Sequence, residues 1–244
     1  MHKVLITIIL LGLTSILCSG QAFLGEYPTL SKKNLPAFFE DWKTASDSIA
    51  AMPANANSVI SDILSQELPA LNNQDGMTPP QFRVVPQKIK AERFELDTTA
   101  VSIYNQSYND VLNDFPYSYT DLAKNRYDID SIIPPLPRNG LYLTEGIKMK
   151  LSQYAGGIEN ASREISEINK ANTKALDKFI PAAYGHWGGY WHFCSFPEIY
   201  RIAISADLIV VMRRTSWCSG DEIWYIKEDE RYVKSGRPRC RWIE

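Results

Sequence analysis

Histidine and cysteine are scarce in this chain, with three of the first and four of the second among 244 residues. No C-x-x-C pair and no H-E-x-x-H occurs, so the usual zinc patterns have nothing to stand on. There is likewise no G-x-G-x-x-G, no P-loop, no G-x-S-x-G and no calcium-loop pattern, and no cofactor is expected. An excess of positive charge is also lacking: 26 basic residues face 28 acidic ones, for a net charge of -2. That balance offers nothing to nucleic acid or to an anionic membrane surface. Beyond the first twenty residues no apolar run approaches the roughly 20 residues of a membrane span, and no internal repeat is present.

What the sequence does contain begins with MHKVLITIILLGLTSILCSG. One positive charge at Lys3, an apolar run from Val4 to Leu17 and small residues near the end make the three-part pattern of a secretory signal. Residues 1 to 20 are therefore expected to be removed on export to a periplasmic or extracellular space, with cleavage after Gly20 or Ala22. Cys18 offers a lipid-anchored alternative, against which the large Ile16 and Leu17 stand. Cleavage after Gly20 removes Lys3, shifts the net charge from -2 to -3 and leaves 224 residues, enough for a sizeable core. Three cysteines then remain in a compartment that permits disulfides. Cys218 closes one strand-like run and Cys240 opens the last, so a Cys218–Cys240 bridge is the expected pair, with Cys194 as the spare thiol.

Residues 31 to 50 repeat apolar positions at intervals of three and four (Phe38, Phe39, Trp42, Ala45, Ile49), which predicts a helix capped by Asn34 or Ser31 with Pro36 in its first turn. A second helix is predicted over 56 to 68. Two short strands are expected in QFRVVPQKIKAERFEL, the first placed at an edge by Pro86. The stretch DTTAVSIYNQSYNDVLNDFPYSY fits strand or helix. After the proline break at 134 to 140 the spacing predicts a strand at 141 to 143, a helix capped by Thr144 and ending at Gly156, and a further helix over 160 to 179 with Ile165, Ile168, Ala171, Ala175, Leu176 and Phe179 on one side.

The last sixty residues change character. YWHFCSF, IYRIAIS, LIVVMRRTSW, EIWYIKEDERYVK and RCRWIE are strand-like, and their short separations favour antiparallel neighbours. Ile223 and Tyr225 oppose Trp224 and Ile226, so both faces of that strand are apolar. The expected fold is α+β, with N-terminal and central helices packed on a C-terminal antiparallel β-meander. Residues 21 to 244 are read as a single domain, with a helical subdomain over 21 to 80 as the alternative.

The stretch HWGGYWH gathers two histidines and three aromatic rings between His186 and His192. With Tyr184 it forms an aromatic and histidine surface of Tyr184, His186, Trp187, Tyr190, Trp191 and His192. Rings offer large contact area at low entropic cost, which suits a peptide, a glycan or a partner protein. The opposing reading is that Trp191 and Phe193 fill the core while Gly188-Gly189 turns the chain. A metal held by His186, His192 and Cys194 lacks a fourth donor. Cysteine nucleophiles at Cys194 or Cys218 lack an assigned base, and the acids Glu198, Asp207, Asp221 and Glu222 lie near turns, where solvated carboxylates belong. The function expected is that of an exported noncatalytic binding protein, the competing class being a secreted hydrolase with a cysteine or histidine centre.

Overall fold

Pro36 stands in the first turn of helix α1 (Leu35–Ala50), where its missing N–H costs nothing. The structure, a computed structural model, describes residues 22–51, 58–68, 82–97, 99, 118–156, 162–185, 191–216, 218–236 and, by backbone alone, 239–243. The signal-like residues 1 to 20 and most of the ambiguous stretch after residue 97 lie outside the described residues. The chain divides into two units and crosses between them repeatedly. One takes its residues from 1–54, 75–85 and 136–195, the other from 55–74, 86–135 and 196–244.

In the first unit, Asn34 precedes α1 but does not cap it. Its Oδ1 accepts from the Ser31 backbone N–H at 2.7 Å and its amide donates to the Thr29 carbonyl at 3.0 Å, which ties down the entry loop instead. Phe38, Phe39, Trp42 and Ile49 are buried at the spacing read from the sequence. Phe39 stacks on Phe179 with centroids 4.6 Å apart. The Trp42 indole N–H donates to the Tyr142 carbonyl at 2.8 Å, and the Tyr142 backbone N–H donates to Ser46 Oγ at 2.9 Å. Those two bonds satisfy polar groups that burial would otherwise strand, and they fix α1 against strand β4 (Gly140–Leu143), which pairs with β1 (Arg83–Pro86).

Helix α2 (Ser58–Glu67) belongs to the second unit. In the first, α3 (Glu145–Ala155) begins and ends where the sequence predicts. Thr144 Oγ1 caps it by accepting from the Ile147 N–H at 3.2 Å, and Gly156 stops it at φ +81°. Helix α4 (Arg163–Leu176) buries Asn169, Thr173 and Leu176. Ile165 and Ile168, expected on its core side, are 46% and 54% exposed; burial along this helix begins only at Asn169. After it, β5 (Ala182–Tyr184) and β6 (Trp191–Phe193) form an antiparallel ribbon.

The second unit is built on a seven-stranded sheet: β2 (Ile89–Leu96), β3 (Ala123–Ile132), β7 (Glu198–Ile204), β8 (Leu208–Arg214), β9 (Ser219–Glu228), β10 (Arg231–Lys234) and β11 (Arg239–Ile243). Strands β7 to β10 are neighbours in sequence order and antiparallel, and β11 pairs with β9. Asp229 and Glu230, at φ +43° and +65°, make the two-residue turn between β9 and β10. The expected purely antiparallel meander is corrected in one respect: β2 joins β7 in parallel, Lys90 opposite Arg201 and Arg93 opposite Ile204, and β3 adds beyond it. The sheet is mixed. Short connections exclude parallel pairing only between successive strands, and β2 reaches β7 through more than a hundred residues of intervening chain. Trp191–Phe193, read from sequence as part of the same run of strands, pairs with β5 instead.

Both faces of β9 are closed. Trp224 and Ile226 pack with Phe94, Tyr119, Leu122 and Met212 on one side, and Ile223 and Tyr225 are 1% exposed on the other. Helix α2 is tied to the Tyr225 side through its last residue, Glu67, which takes hydrogen bonds from Tyr225, Arg213 and Lys234.

Candidate functional site

The β5–β6 ribbon holds the part of the expected surface that can be placed. Tyr184 lies opposite Trp191 and Ala183 opposite His192. Trp191 is only 6% exposed, belongs to the first unit's core and meets Phe193 edge-on at 4.8 Å. It fills core volume and offers no open ring. Tyr184 and His192 are half-buried, and the Tyr184 hydroxyl is shut from solvent with no hydrogen-bond partner among the described residues. His186, Trp187 and Tyr190 lie outside the described residues.

The cysteines also read differently in three dimensions. Along β11, Cys240 faces Asp221 and Ile243 faces Ser219. Cys218 therefore lies three residues along from Cys240's partner, about 10 Å at the rise of a strand, whereas a disulfide needs Cα atoms within about 7 Å. Cys218 is a free thiol, so the expected Cys218–Cys240 disulfide is not formed: neighbouring strands brought the two close in order but not in register. The Cys218 backbone N–H donates to Ser216 Oγ at 3.2 Å in the β8–β9 turn. Cys194 is free as well. Burial, with help from the Asp177 charge, pushes its thiol up to about 11, which keeps it protonated at neutral pH and unsuited to act as a resting nucleophile. Among the described residues no group of three or more histidines, cysteines or acids is placed to hold a metal ion.

Of the acids near the tail turns, Asp221 and Glu222 are engaged, and Asp207 is exposed. Asp221 takes a bidentate grip from Arg213 at 2.7 and 2.8 Å. Glu222 is fully buried and accepts from Ser118 Oγ at 2.6 Å, the Tyr119 N–H at 2.9 Å and the Trp224 indole at 3.0 Å. Both carboxylates are thus occupied by donors, unlike the open pair that hydrolysis requires.

A different constellation, which no sequence motif signals, stands on the second unit's sheet. Glu92 on β2 is 2% exposed and is surrounded by donors. The Tyr119 hydroxyl reaches its Oε1 at 2.5 Å, Arg126 Nε reaches the same oxygen at 3.1 Å, and Arg201 Nη1 reaches Oε2 at 2.6 Å. Burial works to raise the Glu92 pKa, but the hydrogen bonds from Arg126 and Tyr119 and the charges of Arg126 and Arg201 outweigh it and hold the carboxyl below its ordinary value. Glu92 is thus a fixed anion that orients Arg201.

Arg201 in turn lines a cleft of about 310 Å³ together with Lys90, Tyr200 and Arg214. Lys90 is its register partner across the parallel β2–β7 pair. Tyr200 sits at the irregularity between Ile199 and Arg201 in β7, and the Arg214 guanidinium lies 5.7 Å from the centre of its ring. Arg214 is loosely paired with Glu198 at 3.9 Å, and Lys90 forms no ion pair among the described residues. Three cations thus converge on one concavity, one of them held rigidly from behind. The alternation of Lys90 with Glu92 is visible in the sequence, but their meeting with Arg201 depends on the long-range parallel pair. Comparison with known protein families, with characterised proteins and with solved structures finds nothing that matches this chain.

Proposed function

We propose that the protein is an exported, noncatalytic binding protein whose ligand presents a negatively charged group to the cleft of Lys90, Tyr200, Arg201 and Arg214. One observation carries the reading: Arg201 is clamped through a single nitrogen by buried Glu92 at 2.6 Å, so the remaining donors of its guanidinium are positioned in advance beside Lys90 and Arg214. Preorganised guanidinium groups are the usual means of holding carboxylate, phosphate or sulfate. Export is supported by the signal-like residues 1 to 20, and no helix among the described residues is long and apolar enough to cross a membrane. The noncatalytic part is supported by the state of two groups: Glu92, behind the cleft, is saturated by donors, and Cys194, in the other unit, is held as a thiol.

An array of acidic and neutral peptides and oligosaccharides, presented to the mature protein, tests this. Retained species should be acidic, should be released as salt rises because exposed charge pairs are screened, and should be lost from Arg214→Ala. Retention indifferent to charge and to Arg214→Ala overturns the proposal, and conversion of a retained species to product overturns its noncatalytic part.

A further inference from the structure

We propose that the anion held in this cleft is a phosphate monoester in its dianionic form, an inference that rests on the cleft being an anion site. Charge balance is the first ground. Lys90, Arg201 and Arg214 line the cleft and, among the described residues, no carboxylate does; Glu92 holds Arg201 from behind and Glu198 is 3.9 Å from Arg214. A carboxylate or a sulfate ester brings one negative charge to these three cations; a phosphate monoester near neutral pH brings close to two.

Donor geometry is the second ground. A planar carboxylate is served by one two-pronged guanidinium, whereas the donors here come from three different strands: Lys90 on β2, Arg201 on β7 and Arg214 on β8. Donors arriving from separate directions suit three tetrahedrally disposed oxygens. Size is the third. About 310 Å³ exceeds what a bare phosphate fills, and the Arg214–Tyr200 pair supplies a flat wall for an organic substituent.

Calorimetric titration of the mature full chain with phenyl phosphate, phenyl sulfate, benzoate and inorganic phosphate, at pH 5 and pH 7.5 and at low salt, tests the inference. Phenyl phosphate should bind at least about tenfold more tightly than phenyl sulfate or benzoate, since one additional charge-assisted contact is worth that much. Its affinity should also rise several-fold from pH 5 to pH 7.5, as its second proton leaves near pH 6, while phenyl sulfate stays level. Phenyl sulfate, which has no proton to lose in this window, is the control for any change in the protein itself. Lys90→Ala combined with Arg214→Ala should cost at least about tenfold in phenyl phosphate affinity. Both side chains are exposed, so an unchanged unfolding midpoint will show that the fold is intact. Equal, pH-independent binding of phosphate and sulfate esters overturns the dianion while leaving the anion cleft standing. Inorganic phosphate binding as tightly as phenyl phosphate overturns the ester. Binding of none of the four, or binding untouched by the double substitution, overturns the cleft itself.

Discussion

Glu67, the last residue of α2, accepts a hydrogen bond at 2.5 Å from the hydroxyl of Tyr225, which projects from β9. Lys234 reaches the same carboxylate oxygen at 2.6 Å and Arg213 the other at 3.3 Å. A carboxylate 1% exposed is tolerated because every direction is answered. Burial, followed by the bond to Glu67, raises the Tyr225 pKa and keeps the phenol a donor. Glu67→Ala leaves Arg213 with Asp221 but strands the buried Tyr225 hydroxyl, and should cost about 3 kcal/mol or more. Tyr225→Phe removes one neutral donor and should cost about 1–2 kcal/mol. Urea unfolding of the two single variants and the double variant checks this: a double variant whose loss equals the sum of the singles would show that the pair is not coupled.

Glu92 makes stability depend on acid. Its pKa is lower in the folded protein than in the unfolded chain, so its contribution is complete above the ordinary carboxylate value near pH 4 and drains away as pH falls from there through the folded value. Wild-type protein should therefore lose unfolding midpoint between pH 5 and pH 3 more steeply than Glu92→Gln, which starts less stable and has no such carboxylate to protonate. Parallel slopes for the two proteins would contradict this assignment.

Legibility from the sequence follows the range of the interaction. Helix α1 is readable because Phe38, Phe39, Trp42 and Ile49 carry their periodicity within one segment, and Thr144 and Gly156 mark α3's ends by local backbone chemistry. Ile165 and Ile168 obey the same periodicity yet face solvent, because a repeat of apolar residues specifies a face and not a neighbour to cover it. The β7–β10 order is legible through its short turns. The β2–β7 pairing is not, since its partners are far apart in the chain, and the meeting of Lys90 with Arg201 is hidden with it. The histidine-rich segment stands out by composition, but its placeable tryptophan, Trp191, is core.

Two glycines separate conformational strain from packing. Gly156 has φ +81°, and a Cβ there would run into the side-chain amide of Asn169; Gly185 has φ +90°, and no atom of the described residues lies within 4 Å of such a Cβ. Gly185→Ala should cost about 1–2 kcal/mol, the backbone term alone. Gly156→Ala adds displacement of buried Asn169 and should cost about 1–3 kcal/mol more. Equal losses in thermal unfolding would mean that Asn169 moves aside freely.

The thiols offer the last test, since a register can be checked by chemistry. With Cys218 three positions along from the residue that faces Cys240, oxidation cannot join the two without sliding β11 along β9, and a slide by an odd number of residues would turn each side chain to the opposite face. Mass spectrometry of the alkylated mature protein should therefore find Cys218 modified without prior reduction. Cys194, half-buried and with its thiol pushed up to about 11, should be alkylated slowly in the folded state at pH 8 and rapidly in denaturant. Cys218→Ser should leave the unfolding midpoint unchanged under oxidising conditions, because no loop closure is lost. A peptide pair linked through Cys218 and Cys240 would show that β11 sits in another register, and with it that the order of side chains along that edge of the sheet is different.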